Sequence, residues 1–188
     1  MPHLTQEQLE ALNFKKLGKN IKISDKTTFY YPHQIEIGDN TRIDDFCVIS
    51  GNIVIGKYVH IAPFCLIAGG EKGITLGDFC GVSYASQIFT QSDDYTGQFM
   101  VSPLIPEKFK REYKAPVKLD KHVIIGANSI VFPGVHIEEG CSIGAMSLVN
   151  KNTKPWGIYI GIPAKRVKEK SKDILRHEEE FLAEISLS

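Results

Sequence analysis

The 188-residue sequence has no apolar run near the ~20 residues that a membrane span needs. Its first ten residues carry acids and amides and no apolar core, so they do not read as a signal peptide, and the chain is expected to be cytoplasmic. It also lacks any excess of one charge: Lys+Arg is 22 and Asp+Glu is 22. A zero balance argues against non-specific nucleic-acid binding and against anionic membrane surfaces, both of which rest on basic excess. Cysteine is scarce, at four, and none of the four forms a CxxC pair, which weakens zinc and redox readings. No pair of histidines has ligand-like close spacing, so no metal site is expected. No low-complexity linker divides the chain, so one domain is expected.

What the sequence does have is a repeat. From Ile37, steps of six land on Ile43, Ile49, Ile55, Ile61 and Ile67. Three extra residues near Glu71–Gly73 break the phase, which resumes at Leu76, Val82 and Ile88 and again at Leu119, Ile125, Val131, Ile137, Ile143 and Val149. Leu17, Ile23 and Phe29 form a weaker first set, giving six triplets in all. A period of six matches neither a helix nor a flat strand. It fits a chain that turns a corner every six residues, with one aliphatic pointing inward on each flat side and three sides closing a coil. Neighbouring coils would then pair as parallel strands about 4.8 Å apart. All four cysteines (Cys47, Cys65, Cys80, Cys141) lie two residues before a repeat aliphatic. They read as small apolar fillers of the prism corners rather than catalytic thiols.

The flanks break the pattern. Thr5 and Gln8 make a capping box, and Leu4 can staple to Leu9, so a short helix is predicted over 5–13. Ile174, Leu175, Glu178, Phe181, Leu182 and Ile185 give a helical apolar stripe near the C-terminus, to be packed on the prism or on a neighbouring subunit. The expected division is 1–16 for the N-terminal helix, 17–160 for the coils and 161–188 for a tail and helix. Between Ile88 and Leu119 lie 31 steps where the repeat needs six, an excursion of 25 residues placed as a loop over 90–116. A loop of that length in a compact domain is usually functional or disordered, and its aromatics favour packing and function.

The repeat, the long loop and the ending Gly161-Ile162-Pro163-Ala164-Lys165 resemble the hexapeptide-repeat acyltransferases. The resemblance implies an all-β fold, a left-handed parallel β-helix of about six coils, assembled as a homotrimer that binds acyl-CoA between prisms. The segments Ser92–Gly97, Lys121–Ala127 and Gly144–Val149 look like the branch that acylates a dTDP-4-amino-4,6-dideoxyhexose. The activity so implied is acetyl-CoA-dependent acylation of a nucleotide-linked amino sugar for surface-polysaccharide synthesis. One departure bears on mechanism. Galactoside and maltose acetyltransferases carry a histidine early in the long loop, and here none lies between His60 and His122. A hydroxyl acceptor needs a stronger base than an amine does, so the absence favours N-acylation over a sugar O-acetyltransferase, and the Gly-Ala pairs and acidic loop count against a non-catalytic scaffold.

Candidate roles follow. Asp94 and His122 are the candidate bases, with Asp93, Ser83 and Tyr84 placed around the sugar. Asp93-Asp94-Tyr95 equally reads as a turn capped by an aspartate, and His122, three residues after Leu119, as a corner histidine pointing outward. Gly126-Ala127 and Gly144-Ala145, one coil apart, offer small-residue amides for the pantetheine arm. Lys151, Lys165 and Lys168 match family positions near the coenzyme A phosphates, with Arg166 a near neighbour.

Overall fold

The computed structural model describes residues 2–186, so the last two residues of the expected 161–188 segment lie outside the described residues. Each repeat aliphatic from Ile37 to Val149 points inward and is 2% exposed or less. They line a three-sided prism. Its first side carries Ile37, Ile55, Leu76, Leu119 and Ile137, its second Ile43, Ile61, Val82, Ile125 and Ile143, and its third Ile49, Ile67, Ile88, Val131 and Val149. The second side is one sheet of eight strands. Seven are parallel, in register through Ile23, Ile43, Ile61, Val82, Ile125, Ile143 and Tyr159, and Lys165–Glu169 closes the edge antiparallel. The first and third sides form one ten-stranded sheet, because the long strands Val48–Ile55 and Leu66–Leu76 run round their shared corner. The three inserted residues near Glu71 are absorbed in the second of these strands, beside the irregular pairing at Gly51 and Gly70.

The structure extends the six expected coils by a partial seventh. Gly157–Ile160 pairs with Ser142–Ile143 and sets Tyr159, 8% exposed, over Ile143. Tyr159 lies two sides on from Val149, where the period needs twelve residues and the chain has ten, so the period could not reveal it.

The corners follow one rule. The third residue after the aliphatic is left-handed at Asn40, Tyr58, Phe79 and His122 between the first and second sides, and at Phe46, Phe64, Ala85, Asn128 and Met146 between the second and third. That conformation costs an L-residue about 1–2 kcal/mol. Stacking between coils offsets it. Tyr58 and Phe79 lie 5.0 Å apart and nearly parallel, and Phe46 and Phe64 are 5.2 Å apart.

The ends are closed, which removes open strand edges. The predicted N-terminal helix spans Gln6–Ala11 (α1), and its capping box forms as expected: Gln8 N donates to Thr5 Oγ1 at 3.2 Å and Thr5 N donates to Gln8 Oε1 at 2.8 Å. Leu9, 2% exposed, plugs the first coil. The C-terminal helix is Asp173–Ser186 (α2) and packs on its own prism, with Phe181 edge-on to Tyr58 and Phe79. Among the described residues no helix is long and apolar enough to cross a membrane.

All four cysteines are free and buried. Each thiol donates to a carbonyl, Cys80 to Asp120 O and Cys141 to Lys154 O, both at 3.1 Å. Burial pushes the Cys80 thiol up to about 12. Cys80→Ala should therefore cost about 1 kcal/mol in a denaturant melt and leave turnover per folded molecule unchanged, since only a small buried volume is removed.

Two acid clusters, one around a buried and one around a half-buried aspartate, tie successive coils. Asp44 accepts from Arg42 Nε at 2.7 Å and bonds His60 Nε2 at 2.8 Å, while Asp120 meets Lys118 Nζ at 2.8 Å and His136 Nε2 at 2.7 Å. Burial alone would raise both carboxyls. For Asp44 the bonds from His60 and Arg42, and for Asp120 those from Lys118 and His136, more than offset it and hold both below the usual value. A depressed carboxyl stabilises the fold above its unfolded pKa and ceases to do so as pH falls through its folded one. Melting temperature should be flat near neutrality and drop below about pH 4. The double variant Asp44→Asn/Asp120→Asn should melt lower at neutral pH and show a shallower acid limb.

Candidate functional site

Ser83-Tyr84, Gly126-Ala127 and Gly144-Ala145 follow the inward Val82, Ile125 and Ile143, so all three pairs sit at the corner between the second and third sides, on successive coils. The ladder is direct: Ser83 N donates to Ile125 O at 2.9 Å, Asn128 N to Tyr84 O and Met146 N to Ala127 O, both at 2.8 Å. Buried hydroxyls fix the peptide planes, Ser86 Oγ donating to Gly126 O and Ser129 Oγ to Gly144 O, each at 3.0 Å. The backbone N–H groups of Tyr84, Ala127 and Ala145 have no protein partner among the described residues, and they form a line along the corner. The adjacent corner differs only in part, since the N–H groups of Asp39, Asp78 and Lys121 have no partner among the described residues either. There the comparable N–H groups of Lys19 and Lys57 are taken by the carboxylates of Asp39 at 2.9 Å and Asp78 at 2.7 Å. Three unsatisfied donors in a row, beside alanines that leave room, suit the alternating carbonyls of a long amide-bearing arm.

The tail lies over the end of this corner. Ala164 N donates to Leu148 O at 2.8 Å, and Lys165 and Lys168 emerge exposed on the final strand, as does Lys151 after the sixth coil. These three lysines are free to meet phosphates. Arg166 is less so, since its Nη2 already donates to Pro155 O at 3.1 Å and Glu169 Oε2 at 2.6 Å. Trp156 is 7% exposed and packs over Gly140 at a corner of the seventh coil.

The long loop is ordered by its own chemistry. Gln91–Ser92 pairs antiparallel with Tyr113–Lys114 at its neck, and Met100 N donates to Phe109 O farther out. Lys110, its side chain 4% exposed, bridges Glu107 at 3.0 Å and Glu112 at 3.5 Å. Glu112 also meets Lys114 at 3.1 Å. A cleft of about 540 Å³ lies elsewhere, around Gly51 and Gly70, but the one that contains Asp93 and Asp94, about 530 Å³, is walled by loop residues alone.

The two acids differ. Asp94 is engaged: Oδ1 accepts from Thr96 N at 3.1 Å and Thr96 Oγ1 at 2.8 Å, and Oδ2 from Gln98 N at 3.0 Å and Phe99 N at 3.1 Å. These bonds, the Thr96 hydroxyl first, hold its carboxyl below the usual value. Asp93 is exposed and bonds to nothing among the described residues. The expected turn reading is therefore correct for Asp94, and the acid available to a ligand is Asp93. The Asp-x-Thr spacing of an Asx-type turn was the signal for it.

His122 needs a correction. It stands at a corner and outside the core, as its spacing predicts, but at the corner between the first and second sides, and it is 3% exposed. Phe79 stacks on its ring at 5.3 Å and Nε2 bonds Glu178 Oε2 of α2 at 2.7 Å. Glu178 also pairs with Lys121. Burial would raise the Glu178 carboxyl, and the bonds from Lys121 and His122 hold it down. A general base must reach the substrate. This imidazole is sealed by α2, so the structure unites Ser83, Tyr84 and the Gly-Ala wall but leaves His122 apart from both them and the loop acids. Glu178 was not foreseen as its partner, since nothing in the helical stripe says which coil it will face. Among the described residues no three His, Cys, Asp or Glu side chains converge as a metal site would require.

Known proteins share the sequence repeat and the fold. Residues 34–69 match the family model for the bacterial transferase hexapeptide (six repeats). The chain is 41% identical over 184 residues to the dTDP-4-amino-4,6-dideoxy-D-glucose acyltransferase of Escherichia coli, covering 96% of this chain and 95% of that one. It superposes on AntD, an N-acyltransferase from Bacillus cereus solved with dTDP and 3-hydroxybutyryl-CoA, with a TM-score of 0.96, 42% identity and 98% of both chains covered. That protein has also been solved as variants of a serine and of an aspartate ten residues after it, two of the serine variants with dTDP-4-amino-4,6-dideoxyglucose and coenzyme A. A more distant relative is the putative lipopolysaccharide biosynthesis O-acetyl transferase WbbJ of Escherichia coli K12, 30% identical over 70% of this chain and 67% of its own.

Proposed function

The chain belongs to the bacterial hexapeptide-repeat transferases, and on that premise we propose that it moves an acyl group from coenzyme A to the amine of a dTDP-linked amino sugar. The observation that carries the coenzyme end is the line of unpaired N–H groups at Tyr84, Ala127 and Ala145. The pantetheine arm lies along it, between Gly126 and Gly144, and the phosphates meet Lys151, Lys165 and Lys168. Arg166 braces the final strand against the seventh coil instead.

The acceptor end is built from Ser83, Tyr84 and the loop. Ser83 and Asp93 are ten residues apart, the spacing of the serine and aspartate varied in AntD. Asp93 receives the sugar amine. The amine nitrogen attacks the thioester carbon, a C–N bond forms and the C–S bond breaks. The proton shed by nitrogen passes to Asp93 and on to solvent or the departing thiolate. An amine is a good nucleophile once neutral, so one carboxylate suffices and neither a loop histidine nor His122 is required.

One chain supplies both parts but does not close them on each other, since Asp93 stands in a cleft of loop residues and the wall lies on the prism. We propose a homotrimer, in which a neighbour's loop reaches the wall. Phe46, Phe64, Tyr84 and Met146 support this, because they form an exposed apolar ridge, 51–69% accessible, on the same corner. Light scattering should return three times the mass of the chain, and the mass of one chain at micromolar protein would exclude it. The reaction is placed in the cytoplasm, where acyl-CoA is available, as a supplier of surface-polysaccharide sugars. A turnover assay with acetyl-CoA and longer acyl-CoAs against amino-sugar and hydroxyl-sugar nucleotides tests the whole. Amide formation on a dTDP-amino sugar is expected, and activity confined to hydroxyl acceptors would transfer the chain to the O-acylating branch.

A further inference from the structure

Asp93 lies between two fixed pieces of backbone. Before it, Gln91 and Ser92 are bound in the antiparallel neck with Tyr113 and Lys114. After it, Asp94 gathers the N–H groups of Thr96, Gln98 and Phe99 and the Thr96 hydroxyl on one carboxylate. The turn so closed sets Phe99 where Arg111, from the returning limb, lies over its ring at 5.7 Å. Next to it Met100 N donates to Phe109 O at 2.9 Å. Asp94 therefore joins the outgoing limb to the returning one, and among the described residues the one further bond within 94–98 is Gln98 N donating to Thr96 Oγ1 at 3.3 Å.

We propose that Asp94 is a positioning residue. Its carboxylate closes the turn that holds the Asp93 backbone, leaving Asp93 only side-chain rotation with which to meet the sugar amine. This rests on the role assigned above to Asp93. The turn needs acceptor capacity on both oxygens. An amide keeps Oδ1 but puts a donor where the N–H groups of Gln98 and Phe99 point, so it loses two bonds and adds a repulsion. Thr96 contributes through its hydroxyl, which serine retains and valine lacks.

The test uses the full-length enzyme and two readouts. Asp94→Asn should lower kcat/KM for the amino sugar by about 10- to 100-fold, the cost of a misplaced catalytic group, with KM for acyl-CoA unchanged. Trypsin, which has sites at Lys108, Lys110, Arg111 and Lys114, should cut the loop roughly 10-fold faster in that variant, because bonds to a charged acceptor are lost. Thr96→Val should behave likewise and Thr96→Ser like the parent. In an Asp93→Asn background, Asp94→Asn should change kcat/KM by less than about 2-fold, since it acts through a group already removed. Full additivity of the two substitutions, or lost turnover with the loop still protected, would show that Asp94 meets the substrate itself and overturn the proposal. Wild-type turnover with an opened loop would overturn it too. Wild-type turnover in Asp93→Asn alone would instead remove the role of Asp93. The cleavage assay needs no substrate, and unchanged cleavage in Asp94→Asn would still refute the turn-closing role.

Discussion

Asp93→Asn is expected to lower kcat/KM for the amino sugar by about 10²–10⁴-fold, the usual contribution of a positioned proton acceptor. The side chain is exposed and bonds to nothing among the described residues, so the change should leave the melting temperature within the small range of surface substitutions. Acyl-CoA binding, which is proposed to use the prism corner, should also be unchanged. The contrast is His122→Asn. That substitution removes the ring stacked on Phe79 and the bond to Glu178, so it should lower the melting temperature and loosen α2 with little effect on turnover per folded molecule. Steady-state kinetics and thermal melts on the two variants decide the matter. A large rate loss in a fully folded His122→Asn, with Asp93→Asn near wild type, would reverse the assignment.

The second large effect is on the coil stack. Gly126→Ala should destabilise the protein by about 3 kcal/mol, the upper end of overpacking costs. A Cβ at Gly126 would stand 2.4 Å from Ala145 N and 2.7 Å from Gly144 C, which are backbone atoms of the next coil and cannot swing away. The coils would have to part, and the parting falls at Ala145, whose N–H belongs to the proposed coenzyme wall. The surviving folded fraction should therefore show a raised KM for acyl-CoA. Gly81 is the control. A Cβ there would meet only Ile124 Cγ1, at 3.7 Å, so Gly81→Ala should stay within about 0.5 kcal/mol of the parent. Equal losses in the two variants by denaturant unfolding would mean that coil spacing is not what the glycine protects.

These outcomes separate what a linear reading can reach from what it cannot. The prism was legible because each side is a local event: six residues, one inward aliphatic, one corner. The equal spacing of Ile125 and Ile143, with Ala127 and Ala145 behind them, fixes which residues stack, so the Gly-Ala wall and its neighbours Ser83 and Tyr84 followed from arithmetic. The capping box of α1 is also local, and it formed as written. The seventh coil was not legible, because the ten residues from Val149 to Tyr159 leave the period and only pairing with Ser142–Ile143 restores it.

The acids and the histidine show where the limit lies. Asp93 and Asp94 are adjacent and chemically identical, and their different fates depend on which of them the N–H groups of Thr96, Gln98 and Phe99 converge upon. His122 was correctly placed at a corner, but its accessibility depends on α2, which begins 51 residues later and brings Glu178 to it. By itself, then, the sequence determined the coil, its inward core and the composition of the proposed coenzyme wall, since each depends on contacts one repeat away. Only the tertiary structure decided which carboxylate is free and which titratable groups are sealed, because hydrogen-bond saturation and burial are set by segments that meet across the fold.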